Sequence, residues 1–207
     1  MTSPFLWYLN RGTGVVLLVV FSLTVVIGVL ATDRSMSPWW PRFVTQGLHR
    51  ALAALSVLLL LAHAVSAVVD EYVDIRWWQA VLPAGATYQP VWLALGTVAL
   101  DLTAVVIATS LARSRMPHRA WFLVHLATYL AWLTGVVHGL GIGTDTTTPW
   151  LAATTAGCVA GVLVAAAARL TAVARARARR RGPAVGGVGG VADLDAWDLV
   201  DAREEAP

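Results

Sequence analysis

The sequence predicts an all-α integral membrane protein with five transmembrane helices packed as a bundle, and three observations predict it. Of the 207 residues, 57% are hydrophobic and only 13% charged, and the mean hydropathy is +0.67, a balance foreign to ordinary water-soluble domains. Five apolar stretches each supply the roughly 20 residues that a helix needs to cross the hydrocarbon core. The alternating ten-residue pattern of a membrane β-barrel does not occur.

The first span covers about 13 to 31. Its apolar run, GVVLLVVFSLTVVIGVLA, is longer than a signal-peptide core and lacks a small-residue cleavage site, so a retained helix is expected after an outer segment 1–12. Further spans are expected at about 43 to 69, 91 to 112, 120 to 141 and 150 to 174, which makes 13–175 one helical domain. Trp39, Trp40, Trp77, Trp78, Trp92, Trp121 and Trp150 stand near the span ends, where an amphipathic indole is favoured. Residues 176–207 change character to an arginine-rich, then glycine-rich, then acidic tail, expected to be disordered and solvated. A short docking helix around Leu194, Trp197, Leu199 and Val200 is the lesser alternative. Cys158 is the single cysteine, so no disulfide framework exists.

Arginine alone carries the formal positive charge of the side chains, because the chain has no lysine. Arg34 and Arg42 lie between the first two spans, Arg113, Arg115 and Arg119 between the third and fourth, and Arg175, Arg177, Arg179, Arg180 and Arg181 after the fifth. The opposite side has Arg11 and Arg76 against Asp70, Glu71, Asp74 and Asp145. The positive-inside rule then predicts a multi-pass plasma-membrane protein with its N-terminus outside and its C-terminus in the cytoplasm. The net charge of +3 is explained by topology and lipid headgroup contact and calls for no nucleic acid.

Four of the five histidines fall inside the spans as two spaced pairs: His49 and His63 in the second, His125 and His138 in the fourth. An intramembrane imidazole is costly without a partner. Positions 49 and 63 are separated by about 21 Å of helix rise and point within about 40° of each other. The second and fourth spans run in the same direction, so His49 is expected to meet His125 and His63 to meet His138. Each pair can supply both axial ligands of a b-type haem, two haem b in all, held non-covalently because no Cys-x-x-Cys-His motif is present. The fourth span fits less cleanly, since thirteen residues turn an ideal helix about 220°, and Gly135 is the expected place of an adjustment. Gly139 and Gly141 in HGLGIG would let a flat macrocycle come close. A single histidine on a packed membrane helix is ordinarily a hydrogen-bonded core residue; matched pairs point to a ligand. A mononuclear zinc or copper site would need its donors clustered. His118, in the loop RSRMPHR, is not among the expected ligands.

These histidines, together with WYLNRGTG at the start, LGTVALDLTAVVIATSLARSR in the third span and HGLGIGTD after the last ligand, resemble the ferric-reductase-like transmembrane domain. That family also forms the haem-bearing part of NADPH oxidases and the haem subunit of a methionine-sulfoxide reductase system. The resemblance covers about residues 5 to 175 and is nearest to compact actinobacterial members. It implies a di-haem protein that relays single electrons across the membrane, from a separate cytoplasmic donor to an outer-face acceptor, with lipid as its surroundings. Three departures stand out. The family often has six spans, and the first has no counterpart here. The 26 residues from 182 to 207 carry no flavin or nicotinamide domain, so the expected donor is another flavoprotein or a quinol. Ala67 occupies the place where oxidase members carry an extra histidine, which argues against superoxide production.

Arg11 resembles the family's arginine near the outer haem and suits a propionate; Arg50, Arg42 and Arg119 are candidates at the inner haem, with snorkelling at span ends as the competing role. Asp101, near the middle of the third span, is a candidate to orient a histidine through Nδ1 or to take up a proton, with a protonated acid bonded to nearby threonines as the equally weighted alternative. Tyr129 and Trp132 lie between the two haem levels, where core packing is the expected role. Two alternatives remain open: a quinol-oxidising cytochrome b anchor, and a non-haem membrane transporter or assembly component whose histidines move protons or bind a metal.

Overall fold

A computed structural model describes residues 4–31, 41–70 and 75–181 of the chain. Each long apolar helix in it starts at or directly after a proline, whose fixed φ and missing N–H suit the first turn. Helix α1 spans Pro4–Ala31, α2 Arg42–Val69 behind Pro41, α3 Pro90–Leu111, α4 His118–His125 behind Pro117, α5 Ala127–Ile142 and α6 Pro149–Arg181. Two short 3-10 turns, Trp77–Ala80 and Arg113–Arg115, complete the described elements, and no strand occurs among the described residues. Five helices are long and apolar enough to cross a membrane, α4 and α5 together making one of them.

The first and last helices are longer than the apolar runs suggest. Residues 4–12, expected to lie outside the first span, are helical from Pro4 onwards, because Asn10, Arg11 and Thr13 interrupt the apolar run without interrupting the backbone hydrogen bonds. Helix α6 continues to Arg181, through alanines and arginines that are strong helix formers. The chain divides into compact units Met1–Arg169 and Leu170–Pro207. Of the second unit the described part is the helical stretch 170–181, which carries Arg175, Arg177 and Arg179. The acidic tail with Leu194, Trp197, Leu199 and Val200 lies outside the described residues, as do Arg34, Trp39, Trp40, Glu71 and Asp74.

Within the first unit, α1 and α2 form one antiparallel hairpin and α3 with α4 and α5 a second, joined where α1 meets α5. Val25, Trp132, Val136 and Val162 are the buried centre of the apolar packing. Small polar side chains tie the helices across it: Thr24 and Ser56 hydroxyls lie 3.2 Å apart, and Trp132 Nε1 donates to Ser22 Oγ at 2.9 Å. Each such bond contributes about 0.6 kcal/mol in lipid. Large apolar side chains face outward, Leu58 at 65% exposure and Val164 at 67%, which suits a lipid surround rather than water. Residues of α2 and α3 line an apolar cleft of about 300 Å³: Val57, Leu60, Leu61, Leu100, Thr103, Ala104, Ile107, Ala108 and Leu111.

The α2–α3 connection is held by Gln79, which is buried, donates to the Gly85 carbonyl at 2.9 Å and accepts from the Arg76 N–H at 2.9 Å. Thr97 Oγ1 donates to the Gln79 carbonyl at 2.7 Å, anchoring the connection to α3. Gly85 has φ +75° and lies against the Trp78 ring, a backbone state that favours glycine.

Candidate functional site

The bundle brings the four span histidines together in two facing pairs. His49 of α2 faces His125 of α4 with ring centroids 6.3 Å apart and planes at 66°; His63 of α2 faces His138 of α5 at 6.4 Å and 83°. A direct imidazole–imidazole hydrogen bond of about 2.9 Å would put the centroids near 5.2 Å, so the rings stand too far apart for one. An atom bound by both Nε2 atoms at roughly 2.0 Å would put them about 6.3 Å apart.

The outer edge of each ring is already engaged. His49 Nδ1 lies 3.1 Å from the Thr24 carbonyl, His63 Nδ1 3.0 Å from that of Asn10, and His138 Nδ1 2.7 Å from that of Trp92. A carbonyl oxygen only accepts, so these three Nδ1 atoms carry the proton and Nε2 keeps its lone pair. His125 Nδ1 lies 3.5 Å from Ser110 Oγ.

Glycine makes this approach possible. A Cβ on Gly14 would come within 3.1 Å of His63 Cε1, one on Gly28 within 3.1 Å of His49 Cε1, and one on Gly96 within 2.6 Å of His138 Cε1. In all three cases the bonded carbonyl belongs to the residue four before the glycine: Asn10 and Gly14, Thr24 and Gly28, Trp92 and Gly96. The imidazole therefore rests on one turn of the neighbouring helix and shares the carbonyl at its base. Gly14 and Gly28 are fourteen residues apart, as are His49 and His63, and the order of contacts is reversed because α1 and α2 are antiparallel. Fourteen residues beyond Gly96 stands Ser110, whose hydroxyl takes over the role of the carbonyl. Sequence reasoning missed these positions; the matching fourteen-residue spacings in α1, α2 and α3 were the available signal.

The adjustment expected at Gly135 lies at Leu126 instead, between α4 and α5, where Tyr129 N–H bonds the Leu126 carbonyl three residues back at 3.1 Å. A 3-10 step rotates more per residue than an α-helical one, and it supplies part of the rotation between His125 and His138. Gly135 faces Ala99 of α3 with room for an ordinary side-chain contact. Gly141 makes room for the Trp92 indole rather than for a macrocycle, and Gly139 has open space beside it.

The remaining predicted residues fall in different places. Arg11 is committed to the α5–α6 connection: Nε donates to Asp145 Oδ2 at 3.2 Å, and Nη2 lies 3.0 Å from Oδ2 and donates to Thr144 Oγ1 at 2.9 Å. Hydrogen bonds from Arg11 and then Thr144 hold the exposed Asp145 carboxyl below its usual range. Arg50 is exposed on α2, turned about 100° from His49 by the helix. Asp101 is half-buried on α3 and orients no histidine, because each Nδ1 has another partner. Trp132 is buried in the apolar centre, whereas Tyr129 is exposed.

No three His, Cys, Asp or Glu side chains converge on one point among the described residues. Each pair brings two imidazoles face to face, and imidazole nitrogen is a common donor to metals and to haem iron. In comparisons with known proteins, residues 5–145 match a domain of unknown function, DUF8596. No curated protein and no solved structure matches.

Proposed function

The chain belongs to the family of the domain of unknown function DUF8596, and from its four imidazoles we propose that this member is a di-haem b-type protein relaying single electrons across a membrane. The observation that carries the proposal is the equal spacing of the two pairs, 6.3 and 6.4 Å between ring centroids, with the Nδ1 edge of every ring engaged elsewhere. When bound, haem supplies the one-electron chemistry. The chain's own residues do the rest. The Thr24, Asn10 and Trp92 carbonyls fix the tautomer and orientation of three imidazoles and raise their basicity.

The direction comes from charge. With the arginines of the 113–119 and 175–181 segments on the cytoplasmic side, the 49/125 pair lies toward the cytoplasm and the 63/138 pair toward the outside. The resemblance to ferric-reductase-like domains supports the same path, from a separate flavoprotein or quinol to an outer-face acceptor.

Proteoliposomes test this. With ferricyanide sealed inside and dithionite outside, vesicles holding the wild-type chain should reduce the trapped acceptor. Vesicles with His63→Ala should do so no faster than protein-free ones, while retaining the haem of the 49/125 pair. Equal rates for the variant and the wild type would refute the relay.

A further inference from the structure

One helical turn from the 49/125 pair, two buried hydrogen-bond donors have no acceptor among the described residues. Thr45 is 2% exposed, and among the described residues neither its Oγ1 nor Trp121 Nε1 has a hydrogen-bond partner. Leaving such groups unpaired costs their desolvation, and native structures rarely accept it. Both atoms break the habits of the chain. The hydroxyls of Ser22, Thr24, Ser56, Thr103 and Thr154 each donate to the carbonyl four residues back, the usual resort of a hydroxyl in a membrane helix. Thr45 makes no such bond, and the carbonyl that it would use, that of Pro41, receives the backbone N–H groups of Val44 and Thr45. Likewise Trp132 Nε1 finds Ser22 Oγ, whereas Trp121 Nε1 finds nothing.

Their placement is shared. Thr45 precedes His49 by four residues on α2, and Trp121 precedes His125 by four on α4. The two helices run in the same direction, so both donors are displaced toward the same end of the bundle, by about 6 Å of rise. Trp121 is stacked on the His125 ring at 4.9 Å and 26°, and the Arg113 guanidinium lies 4.8 Å from the Trp121 centroid. A hydroxyl, an indole N–H and a guanidinium displaced toward the same end of an imidazole pair are all groups from which a carboxylate oxygen accepts.

Resting on the haem reading above, we propose that Thr45 Oγ1 and Trp121 Nε1 receive the carboxylate side arms of the prosthetic group at the 49/125 pair, with Arg113 balancing their charge. The two residues are positioning residues: they hold the acid end of the group and set how it is turned between the imidazoles.

The test compares two cofactors in the full-length chain, expressed without haem and loaded in detergent with haem b or with its dimethyl ester, in which both carboxylates are masked. Loss of cofactor to excess apomyoglobin is followed optically, and the 63/138 site serves as an internal control of folding. With haem b, Thr45→Val and Trp121→Phe should each speed loss from the 49/125 site on the order of tenfold, and Thr45→Ser should restore the wild-type rate. With the dimethyl ester, wild type and variants should lose cofactor alike. Equal acceleration for both cofactors, or none with haem b, would overturn the proposal while leaving haem binding intact. Failure of the wild-type chain to take up either cofactor as a low-spin species would overturn the haem reading itself.

Discussion

Gly96 lies so close to His138 that a single added carbon would collide with it, meeting Cε1 and Nδ1 at 2.6 Å. The Nδ1 atom is held there by the Trp92 carbonyl at 2.7 Å, so the ring cannot retreat without losing that bond. Gly96→Ala should therefore destabilise the protein by about 1–3 kcal/mol through overpacking and displace the imidazole. Haem per chain should fall toward one. Gly14→Ala and Gly28→Ala, where the contacts are 3.1 Å, should act in the same direction but more weakly, as read by haem content and thermal melting.

Ser110 marks the one ring whose Nδ1 bonds a hydroxyl, at 3.5 Å, instead of a carbonyl at 2.7–3.1 Å. A weaker Nδ1–H bond leaves the imidazole less basic and favours the reduced metal. Ser110→Gly would recreate the arrangement at Gly96 and let His125 reach the Val106 carbonyl. A difference of about 1 kcal/mol between the oxidised and reduced states corresponds to roughly 40 mV for a one-electron couple, so the potential of the 49/125 site should fall by up to about that amount in a spectroelectrochemical titration. The potential of the 63/138 site should stay where it is.

Asp145 provides the pH dependence. Its carboxyl is held below the usual range by Arg11 and Thr144, so its stabilising contribution is present above the unfolded carboxylate value of about 3.9 and is lost as pH falls through the lower folded value. The group is exposed and screened, so the effect is small and salt-sensitive. Asp145→Asn should lower the melting temperature slightly at pH 7, progressively less as pH falls into the acid range, and less at 1 M salt than at 0.1 M. A difference that grows toward acid would contradict the assignment.

Trp132 is a packing residue. Replacing it with Phe removes its bond to Ser22 Oγ, while that hydroxyl keeps its own bond to the Leu18 carbonyl at 2.7 Å. The cost should be about 0.6 kcal/mol, whereas Trp132→Ala should cost about 3–5 kcal/mol. Electron transfer in Trp132→Phe vesicles should match the wild type.

The helices were legible in the sequence because lipid leaves the backbone little choice, and proline punctuates their starts. The facing of His49 with His125 and of His63 with His138 followed from helix direction alone. Helix α1 begins nine residues before the apolar run at 13, because polarity at Asn10 and Arg11 does not stop the backbone from continuing as helix. The partner of Arg11 lies 134 residues away, and no local pattern announces it. The step at Leu126 carries neither proline nor glycine, the usual marks of a helix irregularity. Glycine is common in membrane helices for many reasons, so Gly14, Gly28 and Gly96 acquire meaning only when their spacing is compared with that of histidines on other helices.

The central claim is that each facing pair of imidazoles binds one haem. The reduced-minus-oxidised absorption spectrum of the detergent-purified chain, with haem counted by the pyridine haemochrome method, tests it most directly. Two low-spin b-type haems per chain, falling to one in His63→Ala and in His49→Ala, is the predicted result. A chain from haem-replete cells with no Soret band, or with haem content indifferent to both substitutions, would contradict it.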